Sequence, residues 1–247
     1  MLSIFGYGSL MQYDSVLRTM PNAVNHRYGT LAGWERVFSL VSVSSIRRET
    51  ADFDTLELAA LAIRPSANSD SLVTGCIFEI PAQEFNAFIE REQRYEVKQL
   101  QVLDCSAGTD KDNVPMDVYC VIEQTQLQYE AKLVGGEEEY EERVGKYYPV
   151  SGKGTRSGAL WGRADILPVR PYLIMCIQAA AKADEEMKLT STNTNVAFAD
   201  NLLDGCKLAD GVTRLRTYVL QHPERFPPDV MALASPSNSN SGTSARL

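Results

Sequence analysis

At 247 residues with 44% apolar content, the chain has material for one large domain with a substantial core. Its 24 Lys plus Arg stand against 32 Asp plus Glu, a net charge of -8, with basic residues scattered and only Arg47-Arg48 clustered early. That balance argues against a nucleic-acid partner, and the lack of a signal-like or transmembrane-length apolar run argues against a membrane role.

The chain opens on an apolar strand at 2–5, and Gly6 and Gly8 bracket Tyr7 so that the backbone can turn sharply after it. A short helix is expected over 11–20, with Asp14 or Ser15 as its cap. Residues 27–40 carry Leu31, Trp34, Val37 and Phe38, and the β-branched alternation continues through Val41 and Val43. Strands are predicted at 55–63 and 72–80, and Gly75 inside the second marks a bulge or a close approach.

Pro81 opens a helix in which Phe85, Phe88 and Ile89 recur at three- and four-residue spacing and so share one inward face. Glu92 continues that face, whereas Glu90 falls on the other side and Arg91 points away from Glu92. Further strands are predicted at 95–103 and 116–122, separated by a polar turn segment. The acidic run 137–142 after Gly135-Gly136 reads as a solvated helix face or loop. Pro171 starts a helix to about Glu186, striped by Leu173, Cys176, Ile177 and Ala180 and ending toward solvent. Phe198, Leu202 and Leu203 suggest a short helix, and Asp210 can cap another that carries Val212, Leu215, Tyr218 and Val219. Strands joined by short links, with inserted helices, fit a mixed α+β sheet, partly or fully closed, better than βαβ repetition. One domain is expected over 1–230 with a C-terminal helical extension, followed by a polar tail over 231–247 in which 234–247 are expected to be disordered.

Few chemistries survive inspection. Cys76, Cys105, Cys120, Cys176 and Cys206 show no CxxC spacing, and His26 and His222 are too few and too far apart for a histidine metal site. Buried free thiols, no metal and no other cofactor are expected, in a reducing, cytoplasmic setting. The Gly6-Tyr7-Gly8 triplet lacks the third glycine of a dinucleotide site, and Ser151-Gly152-Lys153-Gly154 lacks phosphate-loop spacing. Ser9 has no histidine in a nucleophile-elbow context. Two readings of the first turn stay open: an ordinary strand end, or a nest of N–H groups around Tyr7 to Leu10 that holds a carboxylate or developing oxyanion. Taken alone, Glu92 reads more readily as a helix-surface carboxylate or a buried salt-bridge partner than as an acid/base.

The segments Phe5-Gly6-Tyr7-Gly8-Ser9-Leu10, Gly33-Trp34-Glu35-Arg36-Val37-Phe38, Thr74-Gly75-Cys76-Ile77-Phe78 and Phe88-Ile89-Glu90-Arg91-Glu92 occur in a familiar order. In this the chain resembles the gamma-glutamylcyclotransferase-like superfamily over about residues 3–175. The Tyr-Gly-Ser-Leu form and the Arg91-Glu92 pair are most similar to its glutathione-degrading ChaC branch, and 168–172 resembles the later family segment Pro-Ser-x-x-Tyr. Ile89 replaces the family's usual aspartate, Gln93-Arg94-Tyr95 replaces glycines after the glutamate, and Val169 stands at the usual serine.

The resemblance implies a small mixed β-barrel partly wrapped by helices. It implies that Tyr7, Gly8, Ser9 and Leu10 hold the substrate's α-carboxylate or glutamyl group, that Glu92 is the catalytic acid/base, and that Tyr172 lines the cavity. The implied reaction releases 5-oxoproline from a γ-glutamyl amide or peptide, glutathione among them, by intramolecular amine attack. A γ-glutamylamine substrate, or a non-enzymatic small-molecule-binding role on the same fold, are the alternatives. The sequence sets neither the leaving group nor the oligomeric state.

Overall fold

Alternating apolar residues build two sheets around one core. The computed structural model describes residues 1–105, 115–148, 158–190 and 197–235. Its strands are β1 (Leu2–Gly6), β2 (Val24–Ala32), β3 (Trp34–Val41), β4 (Glu57–Pro65), β5 (Leu72–Ile80), β6 (Glu96–Asp104), β7 (Met116–Ile122), β8 (Leu167–Pro168) and β9 (Cys206–Lys207). Between them run α1 (Tyr13–Leu17), α2 (Val43–Arg47), α3 (Phe85–Arg91), α4 (Gln126–Ala131), α5 (Gly136–Tyr140) and α6 (Arg170–Thr190). The C-terminal region adds α7 (Phe198–Gly205), α8 (Leu215–Gln221) and α9 (Pro228–Ala234).

Strands β1-β5-β2-β6-β7 form a closed barrel. Parallel pairing of β1 with β7, Ile4 opposite Tyr119 and Phe5 opposite Cys120, closes it, and the other neighbours pair antiparallel. Strands β8-β4-β3-β9 form the second sheet. The fold is thus mixed α+β, a closed barrel surrounded by helices. Buried residues from Ile4 to Ala234 join in one continuous cluster. Among the described residues, no helix is long and apolar enough to cross a membrane.

Closure requires close approach at Gly75. A Cβ there would lie 2.4 Å from the Gly6 carbonyl oxygen and 2.6 Å from the Phe5 ring, with no flexible side-chain end to yield. The close-approach reading of this glycine is therefore the one the barrel uses. Arg36, on β3, is 1% exposed and joins the two sheets. Its guanidinium donates to Asn201 Oδ1 (2.7 Å), to Thr74 Oγ1 (2.9 Å) and to the Thr74 carbonyl. Burial without a carboxylate partner pushes its pKa down to about 10. The buried carboxylate of Glu57 joins β4 to later segments, ion-paired with Arg170 Nε at 3.3 Å and accepting a hydrogen bond from Arg225 Nη1 at 3.1 Å.

Several local expectations are corrected. The stretch 27–40 is two strands, because Gly33 turns the chain with φ +78. Alternation does not reach Val43, where α2 begins behind Ser42, whose side chain accepts from the Ser45 N–H. The helix expected over 11–20 is only α1 plus a 3-10 turn at Ser9–Met11, and neither Asp14 nor Ser15 is its cap. The last turns of α6 face solvent on one side only: Lys182, Glu185 and Lys188 are exposed, whereas Ala183 and Met187 are buried and Asp184 accepts from the N–H groups of Phe198 and Ala199 at the start of α7. Asp210 closes a turn through Val212 and Thr213 instead of capping α8. Helix α9 carries 231–234 with Val230 and Ala234 fully buried, so the tail does not begin at 231. Residues 236–247 and Ser151-Gly152-Lys153-Gly154 lie outside the described residues.

Gly75→Ala is expected to destabilise the fold by about 1–3 kcal/mol or more through overpacking against backbone. Chemical denaturation checks this; unchanged stability would contradict the close approach of β1 and β5.

Candidate functional site

Helix α3 sets the position of Glu92. Phe88 is fully buried, stacked on Phe85 at 5.9 Å, and Phe85 in turn meets Tyr119 of β7 at 4.7 Å. Ile89 is 36% exposed, so the inward stripe is narrower than its spacing predicts. The helix stops at Arg91. Glu92 keeps its N–H bond to the Phe88 carbonyl (3.0 Å) but leaves helical geometry at φ -102, ψ 19.

That exit brings neighbouring side chains together. Inside a helix, adjacent residues diverge around the axis; past its end they need not. Arg91 Nε donates to Glu92 Oε1 at 2.9 Å, which corrects the expectation that Arg91 points away. The same guanidinium reaches the first loop. Its Nη1 donates to the Ser15 carbonyl (2.6 Å) and Thr19 Oγ1 (3.2 Å), and its Nη2 to Ser15 Oγ (3.0 Å) and Ser9 Oγ (3.5 Å).

The loop after β1 turns through the 3-10 segment, with the Met11 N–H bonded to the Gly8 carbonyl at 2.9 Å. Tyr172, in the first turn of α6, packs across it. A Cβ on Gly8 would lie 2.6 Å from Tyr172 Oη, so the absence of a side chain there admits the phenol. The ring stands edge-on to Phe38 at 6.3 Å.

Ser9, Glu92 and Tyr172 line one cavity of about 440 Å³. Tyr7 and Leu10 do not. Tyr7 is buried behind it, donating to the Val121 carbonyl at 2.8 Å, and the Leu10 carbonyl accepts from Cys76 Sγ at 3.0 Å. Gly8 contributes through its contact with Tyr172. The cavity also presents Ser15, Arg18, Thr19, Arg48, Arg94 and Tyr95, none of which the sequence had marked as a site residue. The arginines come from ends of short elements, where no periodicity announces them. The basic pair 47–48, read as surface, supplies Arg48 to this wall.

Glu92 is the one carboxylate among the lining residues, with its side chain 12% exposed. Desolvation raises its pKa, and the charges of Arg91 and Arg94 partly offset that rise. Tyr95, whose hydroxyl donates to the Leu61 carbonyl at 2.8 Å, is held neutral by burial and then by Glu92. Burial likewise raises Tyr172, with Cys176 adding to the effect. Arg94 is lowered by burial, and its Nε is buried without a hydrogen-bond partner. The arrangement offers one carboxyl group able to hold or release a proton, beside neutral phenols and a cationic wall. Cys76, Cys120, Cys176 and Cys206 are buried free thiols, and Cys105 is partly buried.

Because the folded-state pKa of Glu92 lies above its unfolded value, protonation favours the fold. That contribution is fully present below the ordinary carboxylate range of about 4.3 and is lost as pH rises through the raised folded value. Unfolding free energies measured against pH should therefore show Glu92→Gln gaining on the natural protein as pH rises through this window. A difference independent of pH would contradict the burial argument.

No family model matches the chain, and no curated protein matches it. Among solved structures it is similar to one named gamma-glutamyl cyclotransferase, at 16% identity over 62% of this chain and 90% of that one, with a TM-score of 0.39. It is also similar to a yeast gamma-glutamyl cyclotransferase specific to glutathione (13% identity, 73% of this chain and 87% of that one, TM-score 0.42). A third is a mouse AIG2-like protein (19% identity, 50% of this chain and 77% of that one, TM-score 0.33). Likeness at this level assigns neither family nor activity.

Proposed function

We propose that the chain is a gamma-glutamyl cyclotransferase-like lyase that releases 5-oxoproline from a γ-glutamyl amide or peptide. The observation that carries this reading is the meeting of Glu92 with the first loop: one largely buried carboxylate lining a cavity, tied through Arg91 to Ser9 and Ser15, with Tyr172 in the same cavity. The motif resemblance over residues 3–175 supports the same reading. Five free thiols fit a cytoplasmic, reducing setting.

In this reading the γ-glutamyl group sits with its α-carboxylate toward the turn at Gly8, Ser9 and Leu10, where a 3-10 turn leaves its first N–H groups unbonded within the helix. Glu92, ionised, takes a proton from the α-ammonium. The freed amine attacks the γ-carbonyl, forming the ring N–C bond, and the amide C–N bond breaks. Two protons leave the attacking nitrogen and two arrive on the departing one, with Glu92 as the carrier. Water is not consumed. Both reacting groups belong to one molecule, so the protein's task is to hold the folded pose. A carboxyl group raised by burial suits both proton transfers better than an exposed one.

Incubation with glutathione, γ-glutamyl amino acids and γ-glutamylamines should release 5-oxoproline from at least one class, detected by mass spectrometry. Glu92→Gln should lower kcat by roughly 10²–10⁴-fold while the fold is retained. Gly8→Ala, which drives Tyr172 off the loop, should also lower kcat/KM. Unchanged turnover in Glu92→Gln would reject the assigned base. Intact substrates throughout would favour the binding-protein alternative.

A further inference from the structure

The cavity around Glu92 is strongly cationic within an acidic protein. Four arginines line it, Arg18, Arg48, Arg91 and Arg94, against the single carboxylate of Glu92. Arg91 is committed to Glu92, Ser9, Ser15 and Thr19. Among the described residues, Arg18, Arg48 and Arg94 have no salt bridge and no side-chain hydrogen bond. Arg94 is half-buried with its Nε sealed from solvent and unpartnered, whereas Arg18 and Arg48 are exposed and so belong to the mouth. A buried donor left unsatisfied is costly, and more so when it is charged. Three guanidinium groups around one space, in a chain of net charge -8, therefore ask for anionic ligand groups.

We propose that the substrate's departing half is itself acidic: a γ-glutamyl conjugate of a dicarboxylic amino acid, with its three carboxylates matched to Arg94, Arg18 and Arg48. This rests on the cyclotransferase reading and narrows it. Arg94, beside Glu92, takes the α-carboxylate of the glutamyl half together with the loop. Arg18 and Arg48, at the mouth, take the two carboxylates of the departing amine. The volume of about 440 Å³ falls within the range of sites that enclose a small ligand, and so leaves space beyond a glutamyl group for a second amino acid. A γ-glutamylalkylamine leaves both mouth arginines unanswered and is disfavoured.

The test measures 5-oxoproline release and direct binding by calorimetry for γ-glutamylglutamate, γ-glutamylalanine, glutathione and γ-glutamylbutylamine, with the natural protein and the Arg18→Gln/Arg48→Gln variant. Both substitutions lie on exposed side chains, so folding is preserved. γ-Glutamylglutamate should exceed γ-glutamylalanine by about tenfold in kcat/KM, through KM and not kcat, and γ-glutamylbutylamine by more. The double variant should lose that preference, its KM rising more for γ-glutamylglutamate than for γ-glutamylalanine and little for γ-glutamylbutylamine. Arg94→Gln should raise KM for all four. Release of 5-oxoproline with no charge preference, or with the butylamine conjugate preferred, overturns the inference and leaves the cyclotransferase reading standing. Preferential binding of γ-glutamylglutamate that the double variant abolishes, without turnover of any conjugate, upholds the acidic-ligand site and removes the reaction. Neither turnover nor charge-dependent binding overturns both.

Discussion

The Arg91–Glu92 ion pair is the contact on which the candidate site depends. It forms because α3 ends between the two residues, so that side chains that would diverge within a helix converge just beyond it. One guanidinium then serves three duties: it holds the carboxylate, bonds the segment carrying Ser15 and Thr19, and reaches Ser9. Glu92 is thereby kept at a cavity wall although burial disfavours its charge. The outcome is a balance: desolvation raises the pKa, and two nearby arginines restrain the rise. A group so balanced can give and take a proton within one catalytic cycle.

The scaffold makes that contact possible by bringing distant chain segments to one end of the barrel. β1 lies between β5 and β7, and the parallel pairing with β7 fixes where the first loop begins. Gly75 lets β5 approach Phe5 and Gly6 closely enough for this register. Arg36 then clamps the second sheet and α7 against the barrel without a carboxylate partner. The long α6 supplies Tyr172 from the far side. Rigid elements thus deliver Glu92 and Tyr172, and a tight turn delivers Ser9.

Much of the architecture was legible because burial follows simple periods. Strands β5 and β7 match their predicted bounds, and Phe88 faces inward as helical spacing requires. The closed mixed barrel was within reach of the same reasoning. What stayed hidden depends on chain ends and on tertiary contact. The helical rule separated Arg91 from Glu92 because it does not hold where the helix stops. Nothing in the pattern around Tyr7 announced that its hydroxyl would donate to the Val121 carbonyl of β7. Arg94 carried no local signal at all: its meaning lies in having no partner.

The most direct test of the central claim is a carbon-13 NMR titration of the Glu92 carboxyl group in the natural protein and in Arg91→Gln. If burial opposed by Arg91 governs this group, its midpoint lies above the ordinary carboxylate value of about 4.3 and moves higher when Arg91 is replaced. A midpoint at or below that value, or one that Arg91→Gln leaves in place, would contradict the account.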